Sequence, residues 1–409
     1  MRPREPDAQG AAGKRQPLSS AGPNGYLLAA GGGPLSVPFG RSRHPHSITT
    51  RTSVGMTLSI DELRDVVSLD EFERLARTAM SHMAYEYVSA GAADEHSLGW
   101  NRSAWQQLRL RPRVLVDVAT IDLQTTLFGE TLPSPIVLAP AAYQRTMHPE
   151  GEVASARGAG ASGTPMIVST AATSAFTEVR AATSAPLWFQ LYVQSDRAFT
   201  RELVAHVQDA GCRALCVTVD TPTLGARDRM VKAKFSLPEG METPHLHDVS
   251  TKLRGVITPE RISITWRDIE WLRSIARVPV LLKGILDPDD AARAIEAGAD
   301  GVIVSNHGAR NLDTVPATIE ALPAIAERVA GRIPLLVDGG IRRGTDVVKA
   351  IALGATAVLI GRPYCYGLSV GGAEGVARVI EILRTELELA MKLCGRPSLA
   401  SIDRSVLWE

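Results

Sequence analysis

The sequence predicts an α/β fold, a closed (β/α)8 TIM barrel with an N-terminal helical segment and a disordered N-terminal tail. Three observations predict it. Eight short apolar runs recur, at Ile136–Ala139, Met166–Ser169, Leu187–Val193, Ala214–Asp220, Val280–Lys283, Val302–Ser305, Leu335–Val337 and Ala357–Ile360. Stretches of helical period lie between them, as at Asp289 to Ala297 and Thr345 to Leu353, and Val376–Leu393 follows the last. The runs are continuously apolar rather than alternating, the pattern of parallel strands covered on both faces, and eight such units suit closure into a barrel.

Taken in order, residues 1–55 are rich in Gly, Pro, Ser and Arg, with seven basic residues against two acidic ones, Glu5 and Asp7. Nothing periodic runs through them, so they read as a disordered tail. Tyr26-Leu27-Leu28-Ala29-Ala30 is too short and too far along for a secretory core. The acid-poor leader has something of an organelle transit peptide, and Met56 is an alternative natural start. The last residues, Val406-Leu407-Trp408-Glu409, carry no peroxisomal address, and the expected compartment is the cytoplasm. Residues 56–409 are expected to form the barrel domain, with a helical lead-in over 58–110 and the barrel itself over about 136–395. Ser68-Leu69-Asp70-Glu71 opens a helix like a capping box, and Leu69, Phe72, Leu75, Ala76 and Ala79 recur at helical spacing. Tyr85 and Tyr87 cannot share a helix face, so one can enter the core while the other points elsewhere. The ends of strands four and five lie 63 residues apart, against 23 to 31 elsewhere. Residues 223–264 therefore hold a long loop, a candidate lid.

At 409 residues, with 44 basic and 44 acidic side chains, the chain can bury a large core and carries no net charge. That balance argues against nucleic acid or an acidic membrane as partner. No apolar run approaches the ~20 residues of a membrane span. Cys212, Cys216, Cys365 and Cys394 form no CxxC pair and no zinc spacing, so no metal is expected.

Function in such a barrel sits at the C-terminal ends of the strands. Polar residues collect there: Gln190-Leu191-Tyr192, Thr218-Val219-Asp220, Lys283-Gly284, Ser305-Asn306-His307 and Asp338-Gly339-Gly340. Side chains alternate along a strand, so Gln190 with Tyr192, Thr218 with Asp220, and Ser305 with His307 each share a face. Burying so many polar groups without a ligand would be costly. An isolated His and Arg are more often a cap and a surface residue. Here His307 ends a barrel strand with Arg310 three residues on, a base and a fixed cation suited to an anionic substrate that must lose a proton. Asp338-Gly339-Gly340-Ile341-Arg342-Arg343 and Gly361-Arg362-Pro363 follow strands seven and eight, where barrels commonly hold phosphate. Tight turns explain the glycines but not Arg342 and Arg362. Gly158-Ala159-Gly160-Ala161-Ser162-Gly163 fits GxGxxG, yet it ends a helix and precedes a strand, the reverse of a dinucleotide site.

The run Ser305-Asn306-His307-Gly308-Ala309-Arg310-Asn311-Leu312-Asp313 resembles SNHGxRxxD, the most specific signature of the FMN-dependent 2-hydroxy-acid oxidases and dehydrogenases. The likeness covers about residues 65–405. It implies FMN as cofactor and oxidation of an (S)-2-hydroxy acid to the 2-oxo acid. By that resemblance His307 is the catalytic base and Asp220 the acid that orients it. Arg310 and Arg227 would clamp the substrate carboxylate, and Tyr87 and Tyr192 would hydrogen-bond the substrate. Lys283 would stand beside the flavin N1 and O2. Pro140, Ala141, Ala142, Ser169, Gln190, Thr218 and Ser305 match positions along the isoalloxazine. Asp338, Gly339, Gly340, Arg342, Gly361 and Arg362 match the ribityl and phosphate site. The family also implies a homotetramer or another homo-oligomer.

Two positions depart from the glycolate oxidases in that resemblance: Ala171 replaces a Trp, and Tyr143 replaces an aliphatic residue. The expected substrate is accordingly a larger or aromatic 2-hydroxy acid. Ala142, often Ala in the oxidases and Gly in the dehydrogenases, favours O2 as acceptor over a quinone. Two rivals remain open on sequence: a phosphate-binding lyase or isomerase with Lys283 as Schiff base, and a barrel kept as a binding scaffold.

Overall fold

The computed structural model describes residues 57–246 and 264–408. The chain divides into two units, residues 1–52 and 53–409. The tail expected over 1–55, and part of the loop expected over 223–264, lie outside the described residues.

The lead-in is helical, in four pieces: α1 Ile60–Asp65, α2 Leu69–Ala79, α3 His82–Ser89 and α4 His96–Gln107. Each of the first three starts on a serine, Ser59, Ser68 or Ser81, whose hydroxyl accepts an orphan N–H of the first turn. Only Ser59 completes a capping box; at α2, Glu71 reaches back to the Val67 N–H instead of its own cap residue. α2 buries Leu69, Phe72 and Ala76, the periodic face read from the sequence. α3 splits its tyrosines as expected: Tyr85 packs into the core beside Tyr366, and Tyr87 turns to the barrel mouth.

The eight expected runs are β1 Ile136–Leu138, β2 Met166–Ser169, β3 Leu187–Leu191, β4 Leu215–Thr218, β5 Val280–Ile285, β6 Gly301–Val304, β7 Leu335–Val337 and β8 Ala357–Ile360. All neighbours pair parallel, and β8 pairs with β1, so the barrel closes. Crossovers run through α5 Gly151–Gly160, α6 Phe176–Ala181, α7 Arg197–Asp209, then α8 Asp228–Lys232 with α9 Trp266–Ile275, α10 Pro288–Glu296, α11 Thr318–Val329 and α12 Gly344–Ala352. The chain finishes on α13, Arg362–Cys394, broken at Gly371 and Gly372.

Alternation sorts each strand between two cores. Ile136, Leu138, Val168, Leu187, Val217, Leu282, Val304 and Val358 face the helices. Val137, Ile167, Trp188, Cys216, Leu281, Ile303, Leu336 and Leu359 fill the lumen. A short hairpin, Thr125–Leu127 with Glu130–Leu132, was not foreseen; its Leu127 and Leu132 join the lumen cluster, and Phe128 packs against Trp188. Arg109–Leu110 pairs with Leu407–Trp408, tying the end of the lead-in to the C-terminus.

Candidate active site

The site follows from the lumen layer by counting two residues along each strand. Above Ile167 stands Ser169, above Trp188 Gln190, above Cys216 Thr218, above Leu281 Lys283, above Ile303 Ser305, and above Leu336 Asp338. The apolar floor thus gives way to a polar ring within one pleat. Every one of these six side chains is buried.

The ring is wired across strands. The Lys283 ammonium donates to the Ser305 hydroxyl (2.9 Å) and lies 3.2 Å from the Asp338 carboxylate. Ser305 in turn donates to Asp338 (2.9 Å). Ser169 donates to Gln190 Oε1 (3.1 Å). Burial alone would push the Lys283 ammonium down, but Asp338 and Asp220 outweigh it and hold it above its ordinary range, hence protonated. An ammonium engaged by Ser305 and Asp338 in this way is poorly placed to act as a Schiff-base nucleophile, which argues against the lyase reading.

His307 is placed by a turn, not by strand alternation as expected. β6 ends at Val304; Ser305 still faces the lumen, and Asn306 faces outward to exchange two 2.9 Å hydrogen bonds with Asn101 of α4. His307 then adopts φ 58°, which costs an L-residue about 1 kcal/mol. The Ser305 hydroxyl accepts its N–H at 3.0 Å and fixes the turn. His307 Nδ1 lies 2.9 Å from Asp220 Oδ1, so Nε2 is the nitrogen left for a substrate. Asp220 reaches that position because Gly284 has no Cβ: at φ 110°, one would lie 2.4 Å from the Asp220 Cβ. Burial holds the imidazole below its ordinary pKa; Asp220 opposes the shift and Lys283 adds to it. Burial raises the Asp220 carboxyl, but His307, Lys283 and Thr221 together bring it below its ordinary value. At neutral pH the pair is therefore a carboxylate and a neutral imidazole, which is a base oriented by an anion.

Around the mouth stand guanidiniums without carboxylates. Arg227 is buried and donates to the Arg310 carbonyl (3.1 Å) and to Asn311 Oδ1 (3.2 Å). Arg310 donates to the Val88 and Ala90 carbonyls, and its guanidinium lies 5.2 Å from the Tyr87 ring. Arg362 donates to Val88, Ala90 and Gly308 carbonyls. None of the three forms an ion pair among the described residues. Burial, then Arg227, brings Arg310 down to about 9; Arg342, which unlike those three has carboxylates near it, Asp70 at 3.8 Å and Glu73 at 3.7 Å, is brought down to about 10 by burial, then Arg102. Cations so placed are stabilised by an incoming anion.

Of the residues expected at the site, all but Asp220 and Ser305 line one cavity at the C-terminal mouth; those two stand just behind, on His307 and Lys283. Sequence reasoning missed the supports. Asn101 and Trp105 of α4 back the phosphate loop: Trp105 donates to the Gly339 carbonyl (2.9 Å), and any Cβ on Gly340 would meet the Asn101 carbonyl at 1.6 Å. Asn311 donates to the Asp220 carbonyl and to Thr221. Phe235, in the loop after β4, stacks on Tyr87 at 4.2 Å and lies 6.0 Å from Tyr143. Nothing in the lead-in sequence marked Asn101 or Trp105; Asn311, inside the Ser305–Asp313 run, could have been found.

These residues fit FMN. Gln190 Nε2 and Asp338 Oδ1 are buried at this cavity without a hydrogen-bond partner, and a ring with a polar edge would supply one. The Lys283 ammonium suits the edge of such a ring that gathers negative charge, and Arg342 and Arg362 beside two glycine turns suit a phosphate. The free cysteines do not compete as reactive groups: burial raises Cys212, Cys216 and Cys365 to about 12. Among the described residues no cluster could hold a metal ion.

Comparison with known proteins agrees. Residues 76–409 match the family described as FMN-dependent dehydrogenase. A peroxisomal (S)-2-hydroxy-acid oxidase of Oryza sativa subsp. japonica is 47% identical over 350 residues, 83% of this chain and 95% of that protein. The L-lactate oxidase of a Nostoc strain is 45% identical over 359 residues, 83% of this chain and 98% of its own. The crystal structure of mandelate oxidase with (S)-2-phenylpropionate superposes with a TM-score of 0.78 at 39% identity, over 84% of this chain and 98% of that one. The chain belongs to the FMN-dependent dehydrogenase family.

Proposed function

We propose that the protein is an FMN-dependent (S)-2-hydroxy-acid oxidase that yields the 2-oxo acid and hydrogen peroxide. One observation carries this: Arg227 and Arg310, two guanidiniums with no carboxylate partner among the described residues, share a cavity with the His307 imidazole, whose Nδ1 is engaged by Asp220 and whose Nε2 is left for a substrate. That is a site for a small carboxylate that gives up a proton. Arg227 and Arg310 bind the carboxylate and orient the α-carbon. Tyr87 and Tyr192, at the same mouth, bind the substrate's oxygens. His307 Nε2 takes one proton, and Asp220, 2.9 Å from Nδ1, stabilises the imidazolium that forms. Bound FMN would supply the two-electron acceptor, and the two electrons and two protons lost by the acid would leave with O2 as hydrogen peroxide. Pro140, Ala141, Ala142, Ser169, Gln190, Thr218, Lys283 and Ser305 would hold its ring. Asp338, Gly339, Gly340, Arg342, Gly361 and Arg362 would hold its ribityl phosphate.

Tyr143 and Ala171 shape the rest of the pocket, and we read them as admitting a larger or aromatic side chain. The relatives support both ends of the range, since one is named an L-lactate oxidase and another mandelate oxidase. Ala142 and the relatives' names favour O2 as acceptor. No helix among the described residues is long and apolar enough to cross a membrane. We infer a homo-oligomer, tetrameric by family likeness, with residues 56–409 as its catalytic unit. The test is anaerobic mixing with a panel of 2-hydroxy acids, then peroxide counted per acid consumed in air. The expected result is bleaching of a yellow protein and one peroxide per turnover. A colourless protein that stays inert with added FMN refutes it.

A further inference from the structure

Glu152 stands behind the cavity, in the first turn of α5, and is completely buried. It forms no salt bridge among the described residues, although an unpaired buried carboxylate is costly. Four donors hold it instead. Its Oε1 accepts the Gln144 N–H (3.1 Å) and the Thr173 N–H (2.9 Å). Its Oε2 accepts the Thr173 hydroxyl (2.7 Å) and the Ser174 hydroxyl (3.1 Å). The N-terminus of α5 adds its dipole to that cradle.

The donors come from two different segments, the turn after β1 and the turn after β2. Those turns carry Tyr143 and Ala171. The two are already in contact, because the Tyr143 N–H donates to the Ala171 carbonyl (3.1 Å) and the Arg145 N–H to the Thr173 hydroxyl (3.2 Å). Tyr143 has φ 58°, a conformation an aromatic residue keeps only where its surroundings over-determine it. The next N–H along the chain is the one Glu152 holds. Gln144 extends the clamp inward: its Nε2 donates to the Ala141 carbonyl and to the Tyr364 hydroxyl, while its Oε1 accepts from Ser155.

We propose that Glu152 is a positioning residue: by clamping the Gln144 and Thr173 turns together it sets the gap between Tyr143 and Ala171, and so the size of side chain the substrate can carry. This rests on reading the cavity as a 2-hydroxy-acid site. The clamp needs acceptors more than charge. In Glu152→Gln the amide oxygen can take both N–H groups, and the two hydroxyls can rotate to accept from the new NH2. In Glu152→Ala the turns are released.

The experiment uses the FMN-loaded protein and reads discrimination rather than activity alone. For wild type, E152A, E152Q and T173V, kcat/KM is measured for mandelate and glycolate. Dissociation constants of the corresponding 2-oxo acids, phenylglyoxylate and glyoxylate, come from calorimetry. The expected result is that E152A changes the mandelate-to-glycolate ratio at least fivefold, mostly through KM, with the 2-oxo-acid ratio moving in the same direction. E152Q restores both to within about twofold. Variants that melt lower but keep the wild-type ratios overturn the proposal, as does an E152Q that fails to restore them. If E152A does not fold, T173V, which removes one hydroxyl from the clamp, decides: a shifted ratio supports the proposal and an unchanged one ends it. A wild type that neither oxidises a 2-hydroxy acid nor binds a 2-oxo acid overturns the site reading itself, a result distinct from active variants with unaltered selectivity.

Discussion

Replacing Asp220 with Asn isolates the charge that faces His307. The carboxamide oxygen can still accept from Nδ1, so the ring keeps its tautomer and only the anion is lost. At the observed 2.9 Å, and an effective dielectric of about 20, the attraction between carboxylate and imidazolium is about 6 kcal/mol. It exists only once His307 has taken the proton, so it lowers the barrier rather than tightening the resting complex. Water and neighbouring dipoles recover roughly half of it, which leaves about 3 kcal/mol, or about a hundredfold in rate. D220N should therefore reduce anaerobic flavin at about one hundredth of the wild-type rate while binding a 2-oxo acid within about threefold. The pH profile adds a sign. His307 must be unprotonated to act, so the rate rises with pH through its pKa. That pKa already lies below the ordinary 6.5 because of burial, and Asp220 is the largest influence holding it up. The wild-type acid limb should fall below pH 6.5 and that of D220N lower still. A D220N enzyme within threefold of wild type, or one whose acid limb moves upward, refutes the assignment.

Lys283→Met strands Asp338 beside an apolar side chain and should destabilise the protein by about 3–5 kcal/mol, seen as a fall in Tm of about 10 °C; an unchanged Tm would show that Ser305 alone satisfies the carboxylate. Ala171→Trp fills the pocket, so kcat/KM for mandelate should drop by about ten- to a hundredfold while that for glycolate changes little; an equal loss on both acids would place position 171 away from the substrate's side chain. Phe235→Ala removes a ring stacked on Tyr87, a pair of about 1 kcal/mol, and should raise KM about fivefold with kcat kept, whereas unchanged steady-state kinetics would make Phe235 irrelevant to the mouth.

Much of the architecture was legible because parallel barrel strands are apolar on both faces. The observed strands fall inside or within a residue or two of the expected runs; β5 runs on past Lys283 to Ile285 through an irregularity at Gly284. The Thr125–Leu132 hairpin escaped notice because each arm is three residues long, too short to show a period. The polar ring was legible for the same reason as the strands, since its members follow lumen residues at a spacing of two. The left-handed turn at His307 was not, because nothing in Ser305-Asn306-His307 says where pairing stops. Glu152 and Asn101 escaped for another reason. A buried Glu and Asn in helices look like surface residues until the donors that face them, over 200 residues away for Asn306 and Asn101, are brought near by closure.

The hairpin also governs traffic. Leu127, Phe128 and Leu132 stopper the barrel from below, and the packed layer from Val137 to Leu359 seals it from within. Among the described residues the cavity lined by His307, Arg227 and Arg310 lies at the opposite, C-terminal end, so the hairpin leaves that mouth as the side from which a substrate reaches them.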